Sequence, residues 1–218
     1  MSADHHLTIE LSTEEANTLW AQRRCIDDHY LHKVVSPKAR PMLYVINYGA
    51  WRVGLVIVSH PHAPRCAGWW GYPGLPTQWQ VVDICRIWLD PVIQVGGRWC
   101  EFGRVPGYID RHHRFRSTAA TWAIHQVLAR VQSDRVRLYP PVYPDEPYHI
   151  RLAISYHDPQ YHRGTIYRQS GAAPMYTDAD GQPQPGPSGK YGWCWQLPQP
   201  SWQWHDLDNI HSRTLRLF

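Results

Sequence analysis

Apolar and polar residues alternate through Leu7-Thr8-Ile9-Glu10-Leu11, the period-two pattern of a strand with one buried face. Ser12 follows, and Glu15 stands three positions further on. That capping-box spacing predicts a helix starting at Thr13. Ala16, Leu19, Trp20 and Arg23 to Ile26 hold helical spacing to about Asp27, after which Asp28 to Arg40 reads as irregular. Met42–Ile46 and Trp51–Ser59 are β-rich runs, and the Asn47-Tyr48-Gly49-Ala50 link between them predicts a hairpin. Gln80–Leu89 is the strongest strand pattern, closed by Asp90-Pro91. Ser117–Val131 is the strongest helix pattern. Ser117 is its expected N-cap, and Trp122, Ile124, Val127, Leu128 and Val131 form its apolar face. Arg135–Tyr139, Thr165–Arg168 and Tyr191–Gln196 are expected as short strands.

Strands and helices in this order predict a mixed α/β fold, a sheet with helices on both faces. No internal repeat and no clear linker divides the chain, so a single domain over 1–218 is expected, with its core at about 7–170. Gly171–Gly189, rich in Gly, Pro and Asp, is expected to be a flexible excursion ahead of a C-terminal strand region. Pro61–Thr77 lacks periodicity and carries several rings on a Pro/Gly frame, an aromatic insertion of the length that is usually functional.

Composition narrows the class. Hydrophobic residues make up 43% of the chain and charged residues 18%, which excludes global disorder. A net charge of +4 from Lys and Arg against Asp and Glu neither announces nor forbids a nucleic-acid partner. The 12 Trp and 13 Tyr against 3 Phe favour rings with a polar handle, which suit a wet site or a planar ligand. Cys25, Cys66, Cys85, Cys100 and Cys194 form no C-x-x-C pair, so reduced thiols in a cytoplasmic protein are expected. The most apolar stretch, Met42 to Val58, is interrupted by Asn47, Gly49 and Arg52, so no membrane span is expected.

Four clusters carry candidate chemistry. Asp27-Asp28-His29-Tyr30-Leu31-His32 places carboxylates, imidazoles and a phenol at a predicted helix end. These are acid/base groups and metal ligands, or else side chains drawn there by the helix dipole. Ser155-Tyr156-His157-Asp158, running on to His162-Arg163-Gly164, repeats the mixture before a further element. Two histidines and a carboxylate suffice for an open metal site, though histidine is abundant enough here for chance clustering. Arg104, Arg111, His112, His113, Arg114 and Arg116 lead into the Ser117 helix, where cations and free backbone N–H groups suit a phosphate; a solvated basic loop is the rival. Trp69, Trp70 and Tyr72 can stack on an extruded base, or form a small hydrophobic cluster under the loop. No Walker-type loop or G-x-G-x-x-G is present.

A spaced series of motifs then resembles a known family. His29-Tyr30, Ile84-Cys85-Arg86-Ile87-Trp88-Leu89-Asp90-Pro91, Arg116-Ser117-Thr118-Ala119, Ser155-Tyr156-His157-Asp158 and His162-Arg163-Gly164-Thr165-Ile166-Tyr167-Arg168 are similar to the phage Mom family, over roughly residues 7–170. Mom proteins add a carbamoylmethyl-type (acetamido) group to the exocyclic amine of adenine in bacteriophage DNA, which evades restriction. They are regarded as divergent relatives of the GNAT acyltransferases. The resemblance implies a GNAT-like fold and a catalytic set of His29, Tyr30, Arg86, Ser117 and Asp158. It implies a small-molecule donor held by Arg86, Arg116 and Ser117, and double-stranded DNA as partner. Trp69, Trp70, Tyr72, Arg104, Arg111 and Arg114 are the expected DNA contacts. It also implies iron, held by His29 and Asp158. The stretch His113-Arg114-Phe115-Arg116-Ser117-Thr118-Ala119 lacks the glycines of a GNAT pyrophosphate loop, which counts against acetyl-CoA. The alternative is an ordinary GNAT-fold N-acyltransferase using acetyl-CoA on a small amine or protein; a weaker one is a non-catalytic DNA-binding protein.

Overall fold

The computed structural model describes residues 7–61, 80–94, 105–112, 115–140 and 149–197. Trp69, Trp70, Tyr72, Arg104 and Arg114, with most of the aromatic insertion, lie outside them. The strands are β1 (Leu7–Ser12), β2 (Met42–Tyr48), β3 (Trp51–Ser59), β4 (Val81–Leu89), β5 (Gly107–Ile109), β6 (Phe115–Ser117), β7 (Leu152–His157), β8 (Ala173–Pro174) and β9 (Tyr191–Gln196). The helices are α1 (Glu15–Asp27), α2 (Pro91–Gln94), α3 (Ala119–Leu138) and α4 (Thr165–Gln169). A seven-stranded sheet runs in the order β1-β2-β3-β4-β7-β9-β8, and β5 and β6 form a separate hairpin. β4 and β7 are parallel while β1–β2, β2–β3 and β7–β9 are antiparallel, so the expected mixed α/β architecture is present. No described helix is long and apolar enough to cross a membrane.

The chain divides into two compact units, one of 1–58 and 85–130, the other of 59–84 and 131–218. In the first, β1 pairs with β2 from Leu7↔Tyr48 to Ser12↔Leu43, and the β2–β3 hairpin closes at Tyr48↔Trp51 through Gly49, whose φ of 58° suits a residue without Cβ. α1 buries Ala21 and Cys25 against Leu43, Val45, Leu55 and Ile57, with Trp20, Val35, Cys85 and Trp88 packed around them. Each fully buried aliphatic side chain in such a cluster contributes roughly 1.5–3 kcal/mol. Met42, Tyr44 and Ile46 are buried as well, so β2 is covered on both faces and its sequence reads as a continuous apolar run. The Arg130 guanidinium of α3 donates to the Ile9 carbonyl at 3.1 Å and lies 5.9 Å from the Tyr44 ring centroid.

In the second unit, β4 and β7 pair from Val81↔Leu152 to Asp83↔Ile154. The Ser155 hydroxyl donates to the Ile84 carbonyl at 2.8 Å just beyond that pairing. Val81, Leu152, Ile154 and Cys194 form the core cluster, with Tyr156, Ala173 and Met175 packed against it.

Three expectations are corrected. The capping box does not form: the Ser12 hydroxyl accepts from the Glu14 N–H and the Asn17 amide, so the helix starts at Glu15. Arg135–Tyr139 is not a strand, because α3 runs on to Leu138 with Val127, Val131, Asp134 and Arg135 buried at helical spacing. Thr165–Arg168 is helical: Gly164 turns the chain at φ 69°, and Arg168 N–H donates to the Gly164 carbonyl at 3.3 Å. β-branched residues give way there to the local turn. Across Gly171–Gly189 the chain is tied locally by turns and by the Thr177↔Pro183 bridge. The Asp178 carboxylate accepts from the N–H groups of Asp180 and Gln182, Gln184 N–H donates to the Tyr176 carbonyl, and Gly186 N–H donates to that of Lys190.

Candidate functional site

In the first unit the end of α1 builds a tight turn. The N–H groups of Asp28 and His29 both donate to the Arg24 carbonyl at 3.1 Å, and His32 N–H donates to the His29 carbonyl at 2.8 Å. This buries His29 and stacks it on the half-buried Tyr30, with ring centroids 4.6 Å apart and planes 27° apart. Nδ1 of His29 accepts the Leu31 N–H at 3.2 Å. A neutral imidazole that accepts at Nδ1 carries its proton on Nε2, so His29 is set as a hydrogen-bond donor. Asp28 is held in an ion pair with Arg24 at 2.7 Å.

Arg86 projects from β4 to the same segment. Its Nη1 donates to the Cys85 carbonyl at 2.6 Å, while Nε and Nη2 share the Lys33 carbonyl at 3.4 and 3.3 Å. Burial pushes the Cys25 thiol above its ordinary range and the charge of Arg86 opposes that, which places the cation near the base of α1. No carboxylate among the described residues pairs with Arg86. The guanidinium therefore keeps its positive field and is fixed in place by carbonyl oxygens. An arginine so held is fit to receive an anionic or carbonyl group.

The remaining first-unit residues stand before α3. Ser117 lies two positions ahead of the first helical residue rather than at the N-cap; its hydroxyl accepts the Ala119 N–H at 3.2 Å. Thr118 N–H donates to the Pro106 carbonyl at 2.8 Å. Two N–H groups that could have met a pyrophosphate are thus already engaged. Arg116 pairs with Asp110 at 2.9 Å, and Asp110 also accepts the His112 N–H at 2.8 Å. Arg111 is exposed, with its Nε 3.2 Å from Nε2 of His112.

Asp158 belongs to the second unit, where it organises a turn. Its carboxylate accepts the Gln160 N–H at 2.9 Å, and its carbonyl accepts those of Tyr161 and His162 at 3.1 and 3.0 Å. Beside it, His157 of the second candidate cluster sits in a ring stack whose β9 members the sequence does not mark. His157 is buried among Tyr167, Tyr191 and Trp193, stacked at centroid distances of 5.5, 5.2 and 5.9 Å. Trp193 Nε1–H donates to its Nδ1 at 2.8 Å. Burial first, and then the charges of His162 and Arg168, push His157 down to about 4, against a smaller opposing effect of Asp158. The imidazole of the Ser155–Asp158 motif is thus built into the fold. Its hydrogen-bond partner Trp193 on β9 lies 36 residues away along the chain, so no local pattern marks it.

No group of three or more His, Cys, Asp or Glu among the described residues is arranged to hold a metal, and His29 and Asp158, which the resemblance pairs at iron, belong to different compact units.

No protein-family model and no curated protein matches the chain. Among solved structures it is similar to FeeM, an N-acyl amino acid synthase from uncultured soil microbes, with 10% identity over 89% of this chain and 93% of that one, at a TM-score of 0.48. It is similar to the acyl-homoserine-lactone synthase LasI at 8% identity, covering 89% and 91%, with a TM-score of 0.48. A Bacillus subtilis acetyltransferase in complex with CoA matches at 13% identity, covering 88% and 99%, with a TM-score of 0.42. Likeness at this level decides no function.

Proposed function

We propose that the chain is a group-transfer enzyme that modifies the exocyclic amine of adenine in DNA, as the resemblance of its motif series to the phage Mom family implies. The observation that carries the transferase part is Arg86, a cation held by the Cys85 and Lys33 carbonyls with no described carboxylate to neutralise it. Two of its anchoring bonds end four residues beyond His29.

Adenine's amine is a weak nucleophile because its lone pair is delocalised into the ring, so position and donor activation matter most. Arg86 binds the carbonyl or anionic part of the donor and draws electron density from it. As the new N–C bond forms and the donor's bond to its leaving group breaks, the amine proton departs with that leaving group, while His29, with its proton on Nε2, donates to the donor's carbonyl or anionic group or to a ring nitrogen of the base. Tyr30 extends the His29 ring as a flat surface on which a base can lie. Ser117 shapes the start of α3 through its bond to Ala119. Asp158 sets the turn that holds Tyr161 and His162.

An N-acyltransferase acting on a small amine with acetyl-CoA is the competing reading, and one experiment separates the two. The chain is expressed with a plasmid, the DNA is digested to nucleosides and the adenosine pool is weighed by mass spectrometry. A heavier adenosine species that disappears in Arg86→Gln is expected. An unaltered pool from well-expressed protein, with acetyl-CoA consumed in the presence of small amines, would overturn the DNA reading in favour of the rival.

A further inference from the structure

The turn between β7 and α4 carries chemistry that the site above leaves unused. Asp158 holds it rigid through three N–H groups, those of Gln160, Tyr161 and His162. The turn leaves the Tyr161 ring 59% exposed, so its face is open to a planar ligand. His162 and Arg163 follow it directly, both exposed. Arg168, also exposed, folds back from α4: its Nη2 donates to the Arg163 carbonyl at 2.9 Å, and its guanidinium lies 5.8 Å from the Trp193 ring centroid. Neither arginine is in an ion pair with a described carboxylate. One exposed ring, two arginines and an imidazole therefore sit on about ten residues of fixed backbone.

We infer that this turn is a nucleic-acid contact, with Tyr161 stacking on an unpaired base and Arg163 and Arg168 holding the phosphates that flank it. The inference rests on the reading of DNA as substrate and names a surface for it in the second unit. Stacking on a phenol ring tolerates any base, and guanidinium contacts follow the backbone, so the surface binds without reading sequence. Its place next to Asp158 gives that residue a positioning role, because losing the turn would scatter the ring and both cations.

The test is fluorescence anisotropy of the full chain with a labelled duplex and a labelled single strand, across a KCl titration. Arg163→Ala/Arg168→Ala is expected to lower the slope of log affinity against log salt by about 1.4–1.8, since each lost phosphate contact removes about 0.7–0.9. Arg163→Glu alone reverses a charge that makes no side-chain bond to the described residues, so it keeps the test valid if the double variant fails to fold; a loss of at least about tenfold is expected. Tyr161→Ala should weaken single-strand binding about tenfold with its slope unchanged. If the wild-type chain binds DNA and all three variants match it, this surface is wrong and the DNA reading stands. If the wild-type chain binds neither oligonucleotide, both fall.

Discussion

The indole N–H of Trp193 on β9 donates to Nδ1 of His157 on β7 at 2.8 Å, across two antiparallel strands in which Ser155, not His157, is the direct register partner of Trp193. This diagonal bond leaves the His157 proton on Nε2 and makes the ring a closed part of the core. It separates two roles that the sequence presents side by side: His157 is packed, and Asp158 after it shapes the turn.

Burial of His157, with the charges of His162 and Arg168 beside it, sets an acid limit on stability. His157 has a folded value of about 4 against an ordinary 6.5, so the folded state refuses a proton that the unfolded chain accepts. Its contribution is present above pH 6.5 and is lost as pH falls toward 4. By pH 5 the loss is about 2 kcal/mol. Urea unfolding at pH 7 and pH 5 should show that fall, and His157→Phe should show less of it. Equal pH dependence in both proteins would refute the assignment.

Gly164→Ala should be costly. The glycine has φ +69°, and an added Cβ would stand 2.7 Å from Cε1 of His157 and 3.0 Å from Cζ2 of Trp193. Strain and clash together predict a loss of about 2–3 kcal/mol, read as a lower thermal midpoint. An unchanged midpoint would mean that the ring stack yields easily.

Arg86→Lys tests the guanidinium itself. Lysine keeps the charge but cannot bridge the Cys85 and Lys33 carbonyls while offering a planar face to a ligand. Activity on DNA adenine is expected to fall by about 10²-fold with a small change in melting. Full activity would show that charge alone is required.

His29→Phe keeps a ring stacked on Tyr30 and removes the Nε2 proton along with the acceptor for the Leu31 N–H. A drop of about 10²-fold in modification, with little change in the melt, fits a donor role. A variant that melts much lower and retains specific activity would make His29 a packing residue.

The strands with one strong local signal were legible in the sequence. Leu7–Leu11, the Gly49 hairpin and the Val81–Leu89 run appear almost where periodicity puts them. The failures share a cause. Arg135–Tyr139 is rich in residues that suit a strand, yet a helix already under way costs little to extend. Thr165–Arg168 turned on the conformation of Gly164 alone. At the site, His29 and Tyr30 were adjacent in sequence and are adjacent in space, whereas the anchors of Arg86 are backbone carbonyls, which no residue pattern reveals. The Trp193 bond to His157 depends on strand pairing at long range, which only the topology supplies.

Each compact unit is assembled from two separated stretches of chain, and every crossing, at 58/59, 84/85 and 130/131, falls inside a strand or helix. Proteolysis or gene truncation therefore finds no seam. A fragment ending at residue 130 would carry one unit's full set of elements, and it would also carry β4's Val81–Ile84 half without β7, the strand it pairs with. Complementation between two co-expressed halves, rather than isolated halves, is the form in which this polypeptide can be divided.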